Sequence, residues 1–198
     1  MNYLGHALLS MGDTELLVGN MIGDYVKGMK AVAEYPVGIQ RGIMLHRKID
    51  SFTDIAPSSL RAQVWFRPAY GLYASPIIDT LFDHYLATDP YYFSSEKVLL
   101  SFTQDVYKIL DENKSYFPEK FARMFPYMRE QNWLYNYRTM AGARRSLQGL
   151  HRRAQYMPET VEAYNTFVTH YYELGQCYYE FIEKAYRFVN DELNGNKA

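Results

Sequence analysis

The chain is expected to be all-α, a single-domain helical bundle covering residues 1–198. Three observations predict this. Apolar residues recur three and four positions apart almost throughout, and the two-residue alternation of a half-buried strand is scarce. The length suits one substantial core, whereas two full-sized domains would be cramped. There is no repeat, low-complexity tract or Gly/Ser linker to divide it.

The elements follow in order. "TELLVGNMIGDYVKG" carries Leu16, Leu17, Met21, Ile22, Tyr25 and Val26 as one helical stripe, closed by Gly28. "YPVGIQRGIMLHRKIDSFTD" is the next helix, and "SSLRAQVWFRPAYG" follows, closed by Pro68 and Gly71. "SPIIDTLFDHYLATDP" opens on a Ser-Pro start and stops before Pro90. Further helices are predicted over 95–111, 118–135 and 139–154. A long final helix starts after "MPET", with Pro158 in its first turn, and runs to about residue 192. It holds many of the 20 tyrosines, whose rings suit packing and whose hydroxyls reach for water or a partner.

Composition narrows the function classes. With 21 basic and 22 acidic residues the chain lacks the basic excess of a nucleic-acid binder. No apolar run approaches the roughly 18 residues that would suggest a membrane span. The N-terminal apolar stretch follows no Lys or Arg and is broken by Gly5, His6 and Asp13, unlike a secretory signal. The single Cys177 suits a reducing compartment. A cytoplasmic protein is expected.

Chemistry gathers at one repeated spacing. "HRKIDSFTD" sets His46, Asp50 and Asp54 one helical turn apart; "GNMIGD" does the same for Asn20 and Asp24, and "DTLFDH" for Asp79 and Asp83, with His84 adjacent. All have large apolar neighbours. Burying an ionised carboxylate there needs a cation or dense hydrogen bonding. A divalent metal held by inward-facing residues of several helices supplies that compensation. Taken singly each residue has a plainer reading: Asp54 as a terminator, Asp79 as a first-turn acid, a lone helix His as a hydrogen-bonded core residue. A mixed carboxylate and imidazole set suits Mn²⁺, Fe²⁺ or Mg²⁺, and phosphoester hydrolysis is the chemistry such an ion supports. "GARRSLQGLHRR" adds Arg145 and Arg152 on one helical face, flanked by Arg144 and Arg153, while Arg41, Arg47 and Lys48 decorate the His46 helix. Guanidinium pairs there fit phosphate or a partner's carboxylates, and a plain solvated face fits equally.

Together "MNYLGHALLS", "GNMIGDYVKG", "GIMLHRKIDSFTD", "DTLFDHYLA", "NWLYNYR" and "GLHRR" resemble the acyl carrier protein phosphodiesterase family, placed with the HD-type metal-dependent phosphohydrolases. The likeness runs in order from residue 1 to about 153. It implies an HD-like helical fold, and hydrolysis of the phosphodiester joining 4′-phosphopantetheine to a serine of holo-acyl carrier protein. Mn²⁺ is the preferred cofactor, with Mg²⁺ or Fe²⁺ as alternatives. The characteristic positions map onto His6, Asp24, His46, Asp50, Asp83 and His84, although the pair Asp83-His84 reverses the usual order. On this reading Asp24, His46, Asp50 and Asp83, with His6, hold the metal, and Asp50 also belongs to the catalytic set. His84 or His6 moves the proton. Arg41, Arg47, Lys48, Arg145 and Arg152 meet phosphate or the acidic carrier. The alternatives are a phosphohydrolase of nucleotides or other small phosphoesters, and a helical module that binds an acidic partner without turnover.

Overall fold

The computed structural model describes residues 1–195; the last three positions of the expected 1–198 domain lie outside the described residues. Every regular element among the described residues is helical. In chain order these are α1 (Tyr3–Leu8), α2 (Thr14–Ile22), α3 (Gly28–Val32), α4 (Val37–Ile55), α5 (Pro57–Gln63), α6 (Arg67–Tyr70) and α7 (Ala74–Thr88). They continue as α8 (Glu96–Glu112), α9 (Glu119–Glu130), α10 (Trp133–Asn136), α11 (Met140–Arg153), α12 (Val161–Thr169) and α13 (Tyr171–Gly195). The all-α bundle is as expected.

Local chemistry sets many of the ends. Asp13 accepts from the Leu16 N–H at 2.9 Å and starts α2; Thr139 accepts from the Gly142 N–H at 2.9 Å and starts α11. Pro57 forces Ala56 out of the helical region and divides α4 from α5. Four expected helices are shorter than the apolar periodicity suggests. α2 gives way to a tight turn over Gly23–Tyr25, and Gly28, at φ +79°, opens α3 instead of closing α2. The segment 58–71 divides into α5 and α6, and Asn132, in left-handed backbone, separates α9 from α10. The final helix breaks at His170, and Pro158 precedes α12 instead of lying in its first turn.

One hydrophobic cluster runs from Met1 to Val189. Its tightest crossing is between α2 and α4. A Cβ on Gly19 would stand 2.1 Å from the Ile39 carbonyl oxygen, and one on Gly42 would stand 2.4 Å from that of Leu16. Only glycines allow this approach, and it brings the backbone of Asn20 against the His46 face of α4. α1 packs on α2 and α7, so its residue His6 reaches the same place. α13 backs the arrangement through α4, α5 and α7, with Phe52 stacked on Phe188. Its tyrosines divide: Tyr178 is fully buried and donates to Asp89 Oδ2 at 3.0 Å, while Tyr172 and Tyr179 are exposed. Among the described residues no helix is long and apolar enough to cross a membrane.

Candidate metal centre

α4 places His46 and Asp50 on one face, with His46 Nε2 3.2 Å from Asp50 Oδ2. α1 brings His6, whose Nε2 lies 3.2 Å from the other oxygen, Asp50 Oδ1. The two imidazoles stack, centroids 4.1 Å apart. Asp24, in the turn after α2, sets its Oδ1 3.4 Å from His46 Nε2. That turn needs Gly23: a Cβ there would meet the His46 ring at 2.4 Å. One donor atom each from His6, His46 and Asp50 lies within 4.8 Å of the others.

Asn20 fixes both rings. His46 Nδ1 bonds to the Asn20 backbone oxygen at 2.8 Å, an acceptor only, so this nitrogen carries the hydrogen. His6 Nδ1 bonds at 2.8 Å to the Asn20 side-chain oxygen. The amide is held the right way round because its nitrogen donates to the His6 carbonyl (2.8 Å) and to Ser10 Oγ (3.1 Å). With Nδ1 protonated in each ring, the Nε2 lone pairs of the neutral forms point into the cluster, as metal-binding histidines require. His46 Nε2 is buried and has no hydrogen-bond partner; the carboxylates near it are within ion-pair distance without the alignment of a hydrogen bond. An orphaned buried nitrogen beside two carboxylates fits a divalent cation.

The electrostatics agree. Burial works to lower the His46 pKa, but contact with Asp24 and Asp50 outweighs it and lifts the value to about 9. Burial, aided by the neighbouring His46, lowers that of His6. Asp50 is desolvated, yet the two imidazoles hold it far below the usual carboxylate range; His46 does the same to Asp24, more mildly. Without a cation the centre therefore carries one proton, on His46, between two anions. The same donors are compatible with a divalent ion in place of that proton.

The cluster opens into a cavity of about 350 Å³ whose wall also includes Tyr3, Tyr25 and Arg153. That volume is within the range of small-molecule sites. Asp79 also faces it, held by the Met1 ammonium at 2.8 Å. Burial raises the Asp79 pKa to about 6 against the pull of that ammonium.

Other expected residues lie elsewhere. Asp83 accepts from the backbone N–H groups of Leu4 (2.8 Å), Gly5 (3.1 Å) and Asn2 (3.3 Å), so its oxygens hold the start of α1 instead of joining the cluster. His84 has both ring nitrogens engaged, Nδ1 with the Tyr137 carbonyl at 2.7 Å and Nε2 with the Tyr171 hydroxyl at 2.9 Å. It sits among aromatic rings and is not one of the residues that line the cavity. Arg47 donates to the Val26 carbonyl at 2.9 Å, and Lys48 pairs with Glu192. Arg41, Arg145 and Arg152 are exposed, and none lines this cavity. Arg153, expected only as a flanking member of the arginine pairs, is the one that lines the cavity; Asn20, visible in its motif, acts partly through its backbone, which spacing does not display.

The family model for acyl carrier protein phosphodiesterase matches residues 1–185. The chain belongs to the acyl carrier protein phosphodiesterase family. The match extends beyond the N-terminal motifs into α13. An acyl carrier protein phosphodiesterase of Enterobacter sp. (strain 638) is 30% identical, covering 93% of this chain and 95% of its own length. One from Klebsiella pneumoniae (strain 342) is 28% identical over 97% and 99%. That of Photorhabdus laumondii subsp. laumondii is 28% identical over 93% and 95%. No solved structure matches this phosphodiesterase-family chain.

Proposed function

We propose that this chain is a cytoplasmic hydrolase that removes 4′-phosphopantetheine from holo-acyl carrier protein, giving the apo-protein. The observation that carries the reading is the convergence of His6, His46 and Asp50 beside an open cavity, in a chain of this family. These residues, with Asp24 on the solvent side, hold a divalent ion. The nitrogen and carboxylate donors suit Mn²⁺, Fe²⁺ or Mg²⁺, and the family resemblance puts Mn²⁺ first. Such an ion lowers the pKa of water and supports charge on phosphoryl oxygens.

The chain's own residues supply the rest. Asn20 orients both imidazoles, and Asp50 spans them with one oxygen to each. The Asp24 carboxylate, its side chain 64% exposed, would complete the ligand set from the solvent side, and its lowered pKa keeps it anionic for that role. His6 serves as a ligand, because its other nitrogen is committed to Asn20. The carrier is acidic, and Arg41, Arg145 and Arg152 form the steering set: each is exposed, and none has an ion pair among the described residues. Their contribution weakens with salt.

The test is incubation of the pure protein with holo-acyl carrier protein and Mn²⁺, followed by mass spectrometry of the carrier. Loss of the phosphopantetheine arm, absent with Asp50→Ala, is expected. An intact carrier alongside hydrolysis of small phosphoesters moves the assignment to a small-molecule phosphohydrolase. A stable complex without turnover of either makes the protein a binding module.

A further inference from the structure

The cavity beside the His6, His46 and Asp50 cluster has a second feature that the metal reading leaves unused. Arg153, in the last turn of α11, lines it together with Tyr3 and Tyr25. The two hydroxyls are 2.7 Å apart, and Arg153 Nη1 reaches the Tyr3 hydroxyl at 3.4 Å. No carboxylate among the described residues pairs with Arg153, whereas the Met1 ammonium, which also lines the cavity, is neutralised by Asp79 at 2.8 Å. An arginine presents five N–H donors in a planar fork, and this one has a single long bond to a neutral oxygen. Charge balance points the same way. Asp24 and Asp50 together offset a divalent ion, so an anionic phosphoryl group entering the cavity needs a further cation.

We infer that Arg153, steadied by the Tyr3–Tyr25 hydroxyl pair, is the phosphate anchor of the cavity, gripping non-bridging oxygens of the phosphoryl group beside the metal centre. The inference rests on the phosphodiesterase reading for its substrate and deepens it. The anchored group is common to the substrate and the released 4′-phosphopantetheine, so Arg153 governs product affinity as well as substrate capture. A planar fork matches two phosphoryl oxygens at once, which a lysine ammonium does not. The role is therefore specific to arginine.

The test is calorimetric titration of 4′-phosphopantetheine into the Mn²⁺-loaded protein, with inorganic phosphate as a second probe. Wild type is compared with Arg153→Gln, Arg153→Lys and the surface control Arg123→Ala. A separate Mn²⁺ titration and a melting curve are run on each variant. Arg153→Gln should weaken 4′-phosphopantetheine by about 30-fold and phosphate similarly, the size expected for a lost charge-assisted pair. Arg153→Lys should recover only part of this; Arg123→Ala should match wild type. Mn²⁺ affinity should stay within about twofold of wild type, since a phosphate anchor leaves the metal donors intact. Binding of 4′-phosphopantetheine within threefold of wild type in a folded Arg153→Gln overturns the inference, as does an equal loss of Mn²⁺. The two readings fail separately. A wild type that binds the product through Arg153 yet leaves holo-carrier intact overturns the phosphodiesterase reading and keeps the anchor.

Discussion

α4 and α7 carry the same motif and use it in opposite ways. α4 sets His46 and Asp50 one turn apart, and α7 sets Asp79 and Asp83 so with His84 adjacent, in both cases among large apolar residues. On α4, His46 Nε2 is left without a hydrogen bond and Asp50 faces the rings of His46 and His6. On α7, Asp83 holds three backbone N–H groups, Asp79 holds the Met1 ammonium, and His84 bridges Tyr137 and Tyr171. The first set has donor capacity directed at a common point; the second has given its capacity to the fold. Spacing decides which side chains share a face, and neighbouring polar groups decide whether that face is free for a ligand. The difference arises at α1, which brings an imidazole to α4 and bare backbone N–H groups to α7.

The comparison can be broken by substitution. Asp50→Ala removes the carboxylate between the two imidazoles and should reduce turnover by about a thousandfold or more, the scale of losing a group that acts only with its partners. Metal binding measured by calorimetry should be lost with it. Asp83→Ala should act on stability instead. Stranding three N–H groups costs about 3 kcal/mol or more, which for a chain of this size lowers Tm by about 6–12 °C. Mn²⁺ affinity of the folded variant should stay within about threefold. If Asp83→Ala abolishes metal binding while leaving Tm unchanged, the two helices have been assigned the wrong way round.

Smaller effects sharpen it. Asn20→Ala frees both imidazoles to rotate and should weaken Mn²⁺ by about 10–100-fold. A loss equal to that of Asp50→Ala would make Asn20 a ligand instead of an orienting residue. The centre also ties metal binding to pH. His46, lifted to about 9, must release its proton, so Mn²⁺ affinity should rise by about tenfold per pH unit from 7 towards 9 and then level off. For the metal-free protein the signs run both ways. The raised His46 pKa contributes stability that is complete below about 6.5 and lost as pH rises through about 9; the lowered pKa values of Asp50 and Asp24 contribute stability present above the ordinary carboxylate range and lost in acid. Melting curves from pH 3 to 10 should therefore peak between these limits without metal, and the alkaline fall should disappear with Mn²⁺.

The all-helical class and the main apolar stripes were legible because apolar spacing survives burial on one face. The breaks were less so. Asn132 and the turn at Gly23–Tyr25 interrupt stripes whose apolar pattern continues past them, since a local backbone change leaves the composition untouched. His46 and Asp50 stood out because one turn links them, and Asp24 lay in a similar pair with Asn20. His6 could be joined to them only through family likeness, because α1 meets α4's site through tertiary packing. Asp79, Asp83 and His84 showed the same pattern, but their partners are a terminal ammonium, backbone N–H groups, a carbonyl and a distant tyrosine, none of which a spacing rule displays. On α11 the arginine run was visible, while its relation to the cavity was not: Arg145, Arg152 and Arg153 are all exposed, and of the three only Arg153 lines the cavity.

The most direct measurement is Mn²⁺ titration of the intact protein alongside His6→Ala and His46→Ala, with pulsed electron spin resonance of each Mn²⁺-loaded sample to count coupled imidazole nitrogens. The account predicts one ion seeing two imidazoles in the wild type, with one coupling and most of the affinity lost in either variant. Mn²⁺ held as tightly by both variants, with no imidazole coupling in the wild type, would contradict it.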